Sequence, residues 1–188
     1  MVIVGPVTIE ACQKHLQAQR TGVGLDVASM PKPADGYRAV RAILEQSDLE
    51  RVFLWFEFRK HTRDGTSKLT DALPESANEK RIRRFIAGDS QKGWSPIDLR
   101  TSPNFEPVLL TNDAMQGPLY GIDGNHRLVA QFLSGKGVAE VPVYVCIHAK
   151  MLEWAYIPET ARAWYKQRET NQTAAVQSHC REGRRLVT

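Results

Sequence analysis

Across a single glycine this chain changes its pattern from strand to helix. Leu119-Tyr120-Gly121-Ile122 is a short apolar run, Asp123-Gly124 is a turn pair, and Ala130, Phe132 and Leu133 follow at helical spacing. The junction predicts a strand, a tight turn and a helix N-terminus. Such a terminus presents unpaired backbone N–H groups and the positive end of the helix dipole, so it attracts anions, phosphate above all. Into that one turn the chain packs Asp123, Asn125, His126 and Arg127. The plainest reading is a capped helix start: Asp123 or Asn125 caps, Gly124 turns and Arg127 makes a surface ion pair. The alternative is a turn that handles a nucleotide or a nucleic acid, because core building gives little reason to gather four polar, chemically competent side chains there.

The rest of the chain supplies elements for a compact α+β body of about five or six strands with packed helices. Residues 7–20 are expected to be helical, with Thr8 as cap and Ile9, Cys12 and Leu16 on one face; 22–36, with three glycines and two prolines, are expected to be loop. Val40, Ile43 and Leu44 suggest a second helix over 35–46. The aromatic run 52–58 is expected to be a central strand. A third helix should run from a cap at Ser76 or Asn78 to Gly88, burying Ile82, Phe85 and Ile86 and showing Lys80, Arg81 and Arg84 outward. In the second half, strands are expected at 94–99, 107–110, 119–122 and 141–147, with Pro142 at an edge or first position. A helix over 125–134 should end at Gly135 and Gly137. Residues 150–170 should be helical around Pro158, with a weakly ordered tail after Asn171. No repeat or low-complexity linker divides the chain, so 1–188 are read as one domain.

Composition excludes more than it selects. Apolar residues make up 42% and charged residues 24% of 188, an ordinary globular balance. No apolar run approaches the roughly 20 residues of a membrane span, and the first residues lack the basic flank of a signal peptide, so a cytoplasmic protein is expected. Cys12, Cys146 and Cys180 are scattered and odd in number, which argues against a disulfide framework or a zinc site. Cys146 reads as a buried small hydrophobe. The net charge of +4 permits contact with nucleic acid without demanding it. The basic residues cluster at 59–63, at Lys80-Arg81-Arg83-Arg84 and at Arg181-Arg184-Arg185. The cluster at 80–84 reads either as a solvated helix face or as a phosphate-backbone contact, and the C-terminal arginines either as a flexible DNA-touching tail or as a solubilising end.

The order of motifs resembles the ParB/sulfiredoxin superfamily. Before the turn come "PIDL" (96–99), "FEPVLL" (105–110) and "LYGIDGNHR" (119–127); after it come a helix, a glycine turn and "VPVYV" (141–145). The hallmark of the superfamily is a strand, a Gly-x-His-Arg or Gly-Glu-Arg-Arg box at a helix start, a glycine turn and a "VPV" strand. Here the box stands as Gly124-Asn125-His126-Arg127. The resemblance covers about residues 94–148 and implies a ParB/sulfiredoxin-like mixed sheet, with 1–93 as an N-terminal α/β extension. It implies a nucleotide site as well: CTP in ParB proteins, ATP in sulfiredoxins, ADP or ATP in related kinases, with nuclease activity in some members. Carried onto this chain, Gly124, Asn125, His126 and Arg127 would embrace the phosphates. Arg127 supplies a planar, permanently charged fork. His126 holds phosphate or moves a proton, and Asp123 is the natural ligand for Mg²⁺. Sulfiredoxins carry cysteine just before the His-Arg pair; Asn125 stands there, which speaks against thiol-based sulfur reduction.

The chain is also similar in size and box to plasmid-borne oncogenic-suppression and fertility-inhibition proteins, which look like ParB folds and block DNA transfer by type IV secretion. That resemblance implies ATPase and DNase activity, with ATP and Mg²⁺ as cofactors, Asp123, His126 and Arg127 as catalytic residues, Lys80, Arg81 and Arg84 as DNA contacts, and secretion components as partners. A non-catalytic nucleotide- and DNA-binding module and a small-molecule kinase are the competing readings. Glu57, a carboxylate in an apolar run, faces solvent, pairs with Arg59, or serves a site. Glu106 is either a loop residue or part of the same cleft. Trp154, Tyr156, Trp164 and Tyr165 are expected to pack a helix onto the sheet rather than to stack bases. His15, His61, His148 and His179 show no ligand-like spacing.

Overall fold

The computed structural model describes residues 1–12, 14, 36–93, 95–102, 105–154 and 157–185, with side chains for all of these but Phe56, Glu57, Lys92 and 173–185. Six strands form one mixed sheet: β1 (Val2–Val7), β2 (Arg38–Ile43), β3 (Val52–Phe53), β4 (Val108–Thr111), β5 (Leu119–Asp123) and β6 (Pro142–Ile147), in the order β1-β2-β6-β4-β5-β3. β4 runs parallel to β6 and β3 parallel to β5, while the other pairs are antiparallel. Besides a helical turn at 9–12, the described residues form the helices α1 (Lys80–Ala87), α2 (Asn125–Leu133) and α3 (Glu159–Arg185). The fold is thus α+β, with strands from both halves of the chain in one sheet.

Strand alternation sends side chains to two cores. Val52, Leu109, Leu119, Val143, Val145 and Ile147 face one side, where Ile82 of α1 and Leu128, Val129 and Ala130 of α2 cover them. Phe53, Leu110, Tyr120, Ile122 and Cys146 face the other, against Ile9, Cys12, Met151, Ile157 and Ala161. Fully burying each of the large aliphatic side chains contributes about 1.5–3 kcal/mol. Trp164 of α3 meets Phe53 edge-on at 5.9 Å, so this aromatic packs the helix onto the sheet as expected. Tyr156 lies outside the described residues.

β4, β5, α2 and β6 stand where the apolar runs place them, and Gly135 and Gly137 follow α2 with φ of 74° and 64°. Pro142 is the first residue of β6, where its missing N–H costs least, although β6 itself lies inside the sheet between β2 and β4. Thr8 caps the N-terminal helical turn, its Oγ1 accepting from Ala11 N at 3.0 Å. Cys12 and Cys146 are free thiols with their Sγ atoms 3.5 Å apart in the second core.

Several expectations are corrected. The helix expected over 35–46 is strand β2: Val40, Ala42 and Leu44 pack into one core at a spacing of two, and pairing with β1 and β6 on both sides outweighs the helical coincidence of Val40, Ile43 and Leu44. The strand expected over 52–58 shrinks to Val52–Phe53 at the sheet edge, and Phe56–His61 is a 3₁₀ helix. The ladder ends because Leu54 N turns to Ser67 O (2.6 Å) and Trp55 N to Asn125 Oδ1 (3.2 Å). No strand forms at 95–99; there Ile97 N donates to Phe85 O and Leu99 N to Gln131 Oε1, which lays the segment across the helices instead. The third helix begins at Lys80, and Ser76 donates to His61 O rather than capping it. The tail after Asn171 continues α3 to Arg185. The loop expected at 22–35 and Leu16 lie outside the described residues. No helix among the described residues is long and apolar enough to cross a membrane.

One buried cation ties the edge of this body together. Arg51, 4% exposed, donates from Nε to Asp48 Oδ1 (2.9 Å), from Nη1 to Gly117 O (2.7 Å) and from Nη2 to Ala114 O (2.6 Å). It joins the approach to β3 to the β4–β5 connection. Arg51→Ala takes the donor from two carbonyls, while Asp48 keeps the N-terminal ammonium of Met1 and the N–H of Glu45; it should lower the unfolding free energy by about 1–3 kcal/mol for each carbonyl, read as a fall in the urea midpoint.

Candidate functional site

The junction between β5 and α2 is shaped by Gly124. Its backbone is left-handed (φ 82°, ψ 6°) at the N-cap of α2, and a Cβ there would lie 2.9 Å from Pro107 Cα. Both conditions call for glycine. The first intrahelical bond runs from Leu128 N to Gly124 O (2.8 Å), so the backbone N–H groups of 125–127 precede the helical ladder, as at any helix start. The next three residues leave the helix in three directions.

Asn125 points inward and is 7% exposed. Its Oδ1 accepts from Trp55 N (3.2 Å) and its Nδ2 donates to Gly121 O (3.1 Å). Gly121 leaves the space for it, since a Cβ there would stand 2.5 Å from Asn125 Oδ1. The side chain therefore joins β5, α2 and the segment after β3. What Asn125 offers an anion is its backbone N–H.

Arg127 reaches back along the helix to Asp123, Nη2 to Oδ2 at 2.8 Å, and its guanidinium carbon lies 5.6 Å from the ring centroid of Phe105. It is 7% exposed. Burial draws the guanidinium below its ordinary range, while Asp123 and, more weakly, Glu106 hold it up; arginine stays cationic. Glu106, itself buried, meets Arg41 Nη2 at 3.1 Å, so it lies inside the structure close to the box rather than on an exposed loop.

His126 turns toward α1. Its Nε2 lies 2.9 Å from Glu79 Oε1, and the other oxygen of Glu79 lies 3.6 Å from His61 Nε2. Phe58 stands edge-on to both imidazoles, with centroids 4.9 Å from His126 and 6.2 Å from His61. Burial lowers the His126 pKa below the ordinary histidine value against the pull of Glu79, and Arg81 and Arg127 lower it further. Glu79 immediately precedes α1, the basic helix. Lys80 and Arg81 are exposed, and Arg84 is half-buried with Nε 3.5 Å from Asp89 Oδ2. The cationic helix expected to touch DNA therefore begins beside the box histidine.

The structure thus brings Asp123, Gly124, Asn125, His126, Arg127, Lys80 and Arg81 into one neighbourhood. Sequence reasoning missed Glu79 and Phe58 and gave His61 no role. They lie 47, 68 and 65 positions from His126 and come to it from two other elements, Glu79 from the start of α1 and Phe58 and His61 from the 3₁₀ helix Phe56–His61. The side chains of Glu57, His179, Arg181, Arg184 and Arg185 are not described, and His15 lies outside the described residues. His148 stacks on Tyr37 at 4.4 Å. Among the described residues no group of three His, Cys, Asp or Glu side chains stands ready to hold a metal ion; Asp123 would ligate one through a single carboxylate, with waters completing the shell. The chain matches no family model, no curated protein and no solved structure.

Two outcomes follow from this geometry. Gly124→Ala must adopt a left-handed backbone and also displace Pro107, whereas Gly135→Ala meets only the backbone cost, with open space around its Cβ. The second should lose about 1–2 kcal/mol and the first clearly more, measured by urea unfolding of both variants. The lowered His126 pKa gives stability a pH slope. The unfolded chain takes up a proton near 6.5 that native His126 resists, so this contribution is complete above that pH and falls away as pH drops through it. Between pH 7.5 and 5.5 the urea midpoint of wild type should therefore fall further than that of His126→Gln.

Proposed function

We propose that this chain binds a nucleoside triphosphate with Mg²⁺ at 123–127 and hydrolyses phosphoanhydride or phosphoester bonds, with ATP as the nucleotide and DNA as a second substrate. The observation that carries the reading is the start of α2. A glycine turn opens the helix, Arg127 and His126 flank it on two sides, Asp123 precedes it, and the cationic end of α1 lies alongside. Backbone N–H groups and the helix dipole attract the phosphates. Arg127 stabilises developing charge on them, Asp123 takes the cation, and His126 donates to phosphate or shuttles a proton. Lys80, Arg81 and Arg84 supply the contact to a nucleic-acid backbone. In the cell this activity would act on transferred DNA and so interfere with conjugative transfer through type IV secretion.

Binding has a cost built in. Arg127 and Asp123 satisfy each other in the absence of ligand, so a magnesium nucleotide must exchange that ion pair for an Arg–phosphate and an Asp–metal contact. The same pair favours a second reading, in which the site only senses a nucleotide and DNA is held without cleavage.

Phosphate release from ATP and nicking of plasmid DNA, each with and without Mg²⁺, separate the two. Under the enzymatic reading Arg127→Ala lowers turnover by about 10²- to 10³-fold, and Asp123→Ala loses the Mg²⁺-dependent phosphate release, with circular dichroism unchanged. Nucleotide binding without turnover would establish the sensor. DNA cleavage untouched in both variants would sink a single shared site.

A further inference from the structure

Resting on the reading of 123–127 as a phosphate-handling site, we infer that Glu79 is the positioning residue of His126. Its carboxylate holds the Nε2–H tautomer and leaves Nδ1 as the nitrogen that exchanges a proton with substrate or water, while His61 and Phe58 hold the assembly in register.

Four observations converge on this. A carboxylate only accepts hydrogen bonds, so the 2.9 Å contact assigns the shared proton to His126 Nε2. Glu79 occupies the N-cap position of α1, where an acidic side chain ordinarily folds back onto the helix N–H groups, yet it makes no side-chain capping bond; its oxygens go to the two histidines instead. The trio is partly open, with side-chain exposures of 22% for His61 and 30% for both Glu79 and His126, which differs from a sealed core bridge between helices. Finally, Phe58 packs edge-on against both rings, which restricts their rotation and leaves the in-plane nitrogens to the carboxylate.

The chemistry balances without a co-reactant. When His126 acts as base, an O–H bond of water or of the attacking hydroxyl breaks, and an Nδ1–H bond forms. The Nε2–H bond persists, and the resulting imidazolium is held by the Glu79 carboxylate. Reversal of the step returns the proton to the leaving oxygen. Glu79 is not itself protonated; it orients the ring and stabilises the cation. The charged groups around His126 are Glu79 and Arg81 from the α1 side and Arg127 from its own helix, with His61 on the far oxygen of Glu79. Among the described residues Glu79 thus supplies the negative charge that meets an imidazole flanked by the cations Arg81 and Arg127.

The test uses the full chain with ¹⁵N-labelled histidine, and long-range ¹H–¹⁵N spectra assigned by the signal lost in His126→Gln. Wild type should show a single Nε2–H tautomer at His126 at neutral pH. Glu79→Gln should show mixed tautomers and a His126 titration moved to lower pH, and Glu79→Asp should restore part of the wild-type pattern. In phosphate-release assays Glu79→Gln should lower kcat by about 100-fold or more with KM little changed, and the acidic limb of the pH profile should follow the NMR titration. An Nδ1–H tautomer in wild type, or a tautomer and titration unchanged in Glu79→Gln, would overturn the inference. The wild-type spectrum decides it even should the variant fail to fold. Absence of phosphate release by wild type would count against the proposed function alone, because the tautomer is read without turnover. Turnover whose pH profile ignores Glu79 would count against this inference alone.

Discussion

Everything at the box depends on the backbone of Gly124 resting against Pro107. No side chain can stand between them, so β5 stops and α2 starts within one residue and in one direction. That direction fixes the next three side chains by helical geometry alone, since successive residues are rotated by about 100°. Asn125 is driven into the interior, His126 toward α1 and Arg127 back over Asp123.

The interior half of the arrangement is structural and the exterior half is available for chemistry. Asn125 satisfies the backbone N–H of Trp55 and the carbonyl of Gly121, each hydrogen bond contributing about 0.5–1.5 kcal/mol. Arg127 and Asp123 compensate each other, as Arg51 and Asp48 do at the opposite end of β5. The two pairs differ in consequence. Arg51 also spends its remaining donors on two backbone carbonyls and so is committed to the fold, while Arg127 turns the face of its guanidinium to a half-exposed aromatic ring. A cation held in that way can change partner without dismantling the sheet.

How much of this was legible in the sequence follows from where the information resides. β4, β5, α2 and β6 were readable because continuous apolar runs are bounded by glycine and proline, and because the change of period falls on one residue. β1 escaped notice: Val2, Ile3 and Val4 are 52%, 41% and 58% exposed on an outer strand, and Gly5-Pro6 looks like a break. β2 was misread since Val40, Ile43 and Leu44 satisfy a helical spacing, while the alternation Val40, Ala42, Leu44 is hidden by a small residue in its middle. Aromatic content at 52–58 points to sheet over the whole run, whereas the strand ends at Phe53 because Trp55 gives its N–H to a side chain 70 positions away. The box residues themselves were visible as a local cluster. Their partners were not, since Glu79 and Phe58 meet His126, and His61 meets Glu79, only after α1, α2 and the 3₁₀ helix Phe56–His61 have packed, and no spacing rule reaches that far.

The location of those partners has a consequence for how the molecule can be taken apart. The stretch most readable as a unit, 94–148, contains every residue of the box together with Pro107, Gly121 and Phe105 beside it, but not the groups that meet Asn125 and His126 from outside: Trp55 and Phe58, His61 and Glu79 all come from the preceding half. Two of its strands, β6 and β5, would also lose their neighbours β2 and β3 and offer raw edges. Cut out as a module, the segment would keep its signature and lose its alignment. The box should be transplanted, shuffled or compared among proteins only together with the ninety residues that precede it.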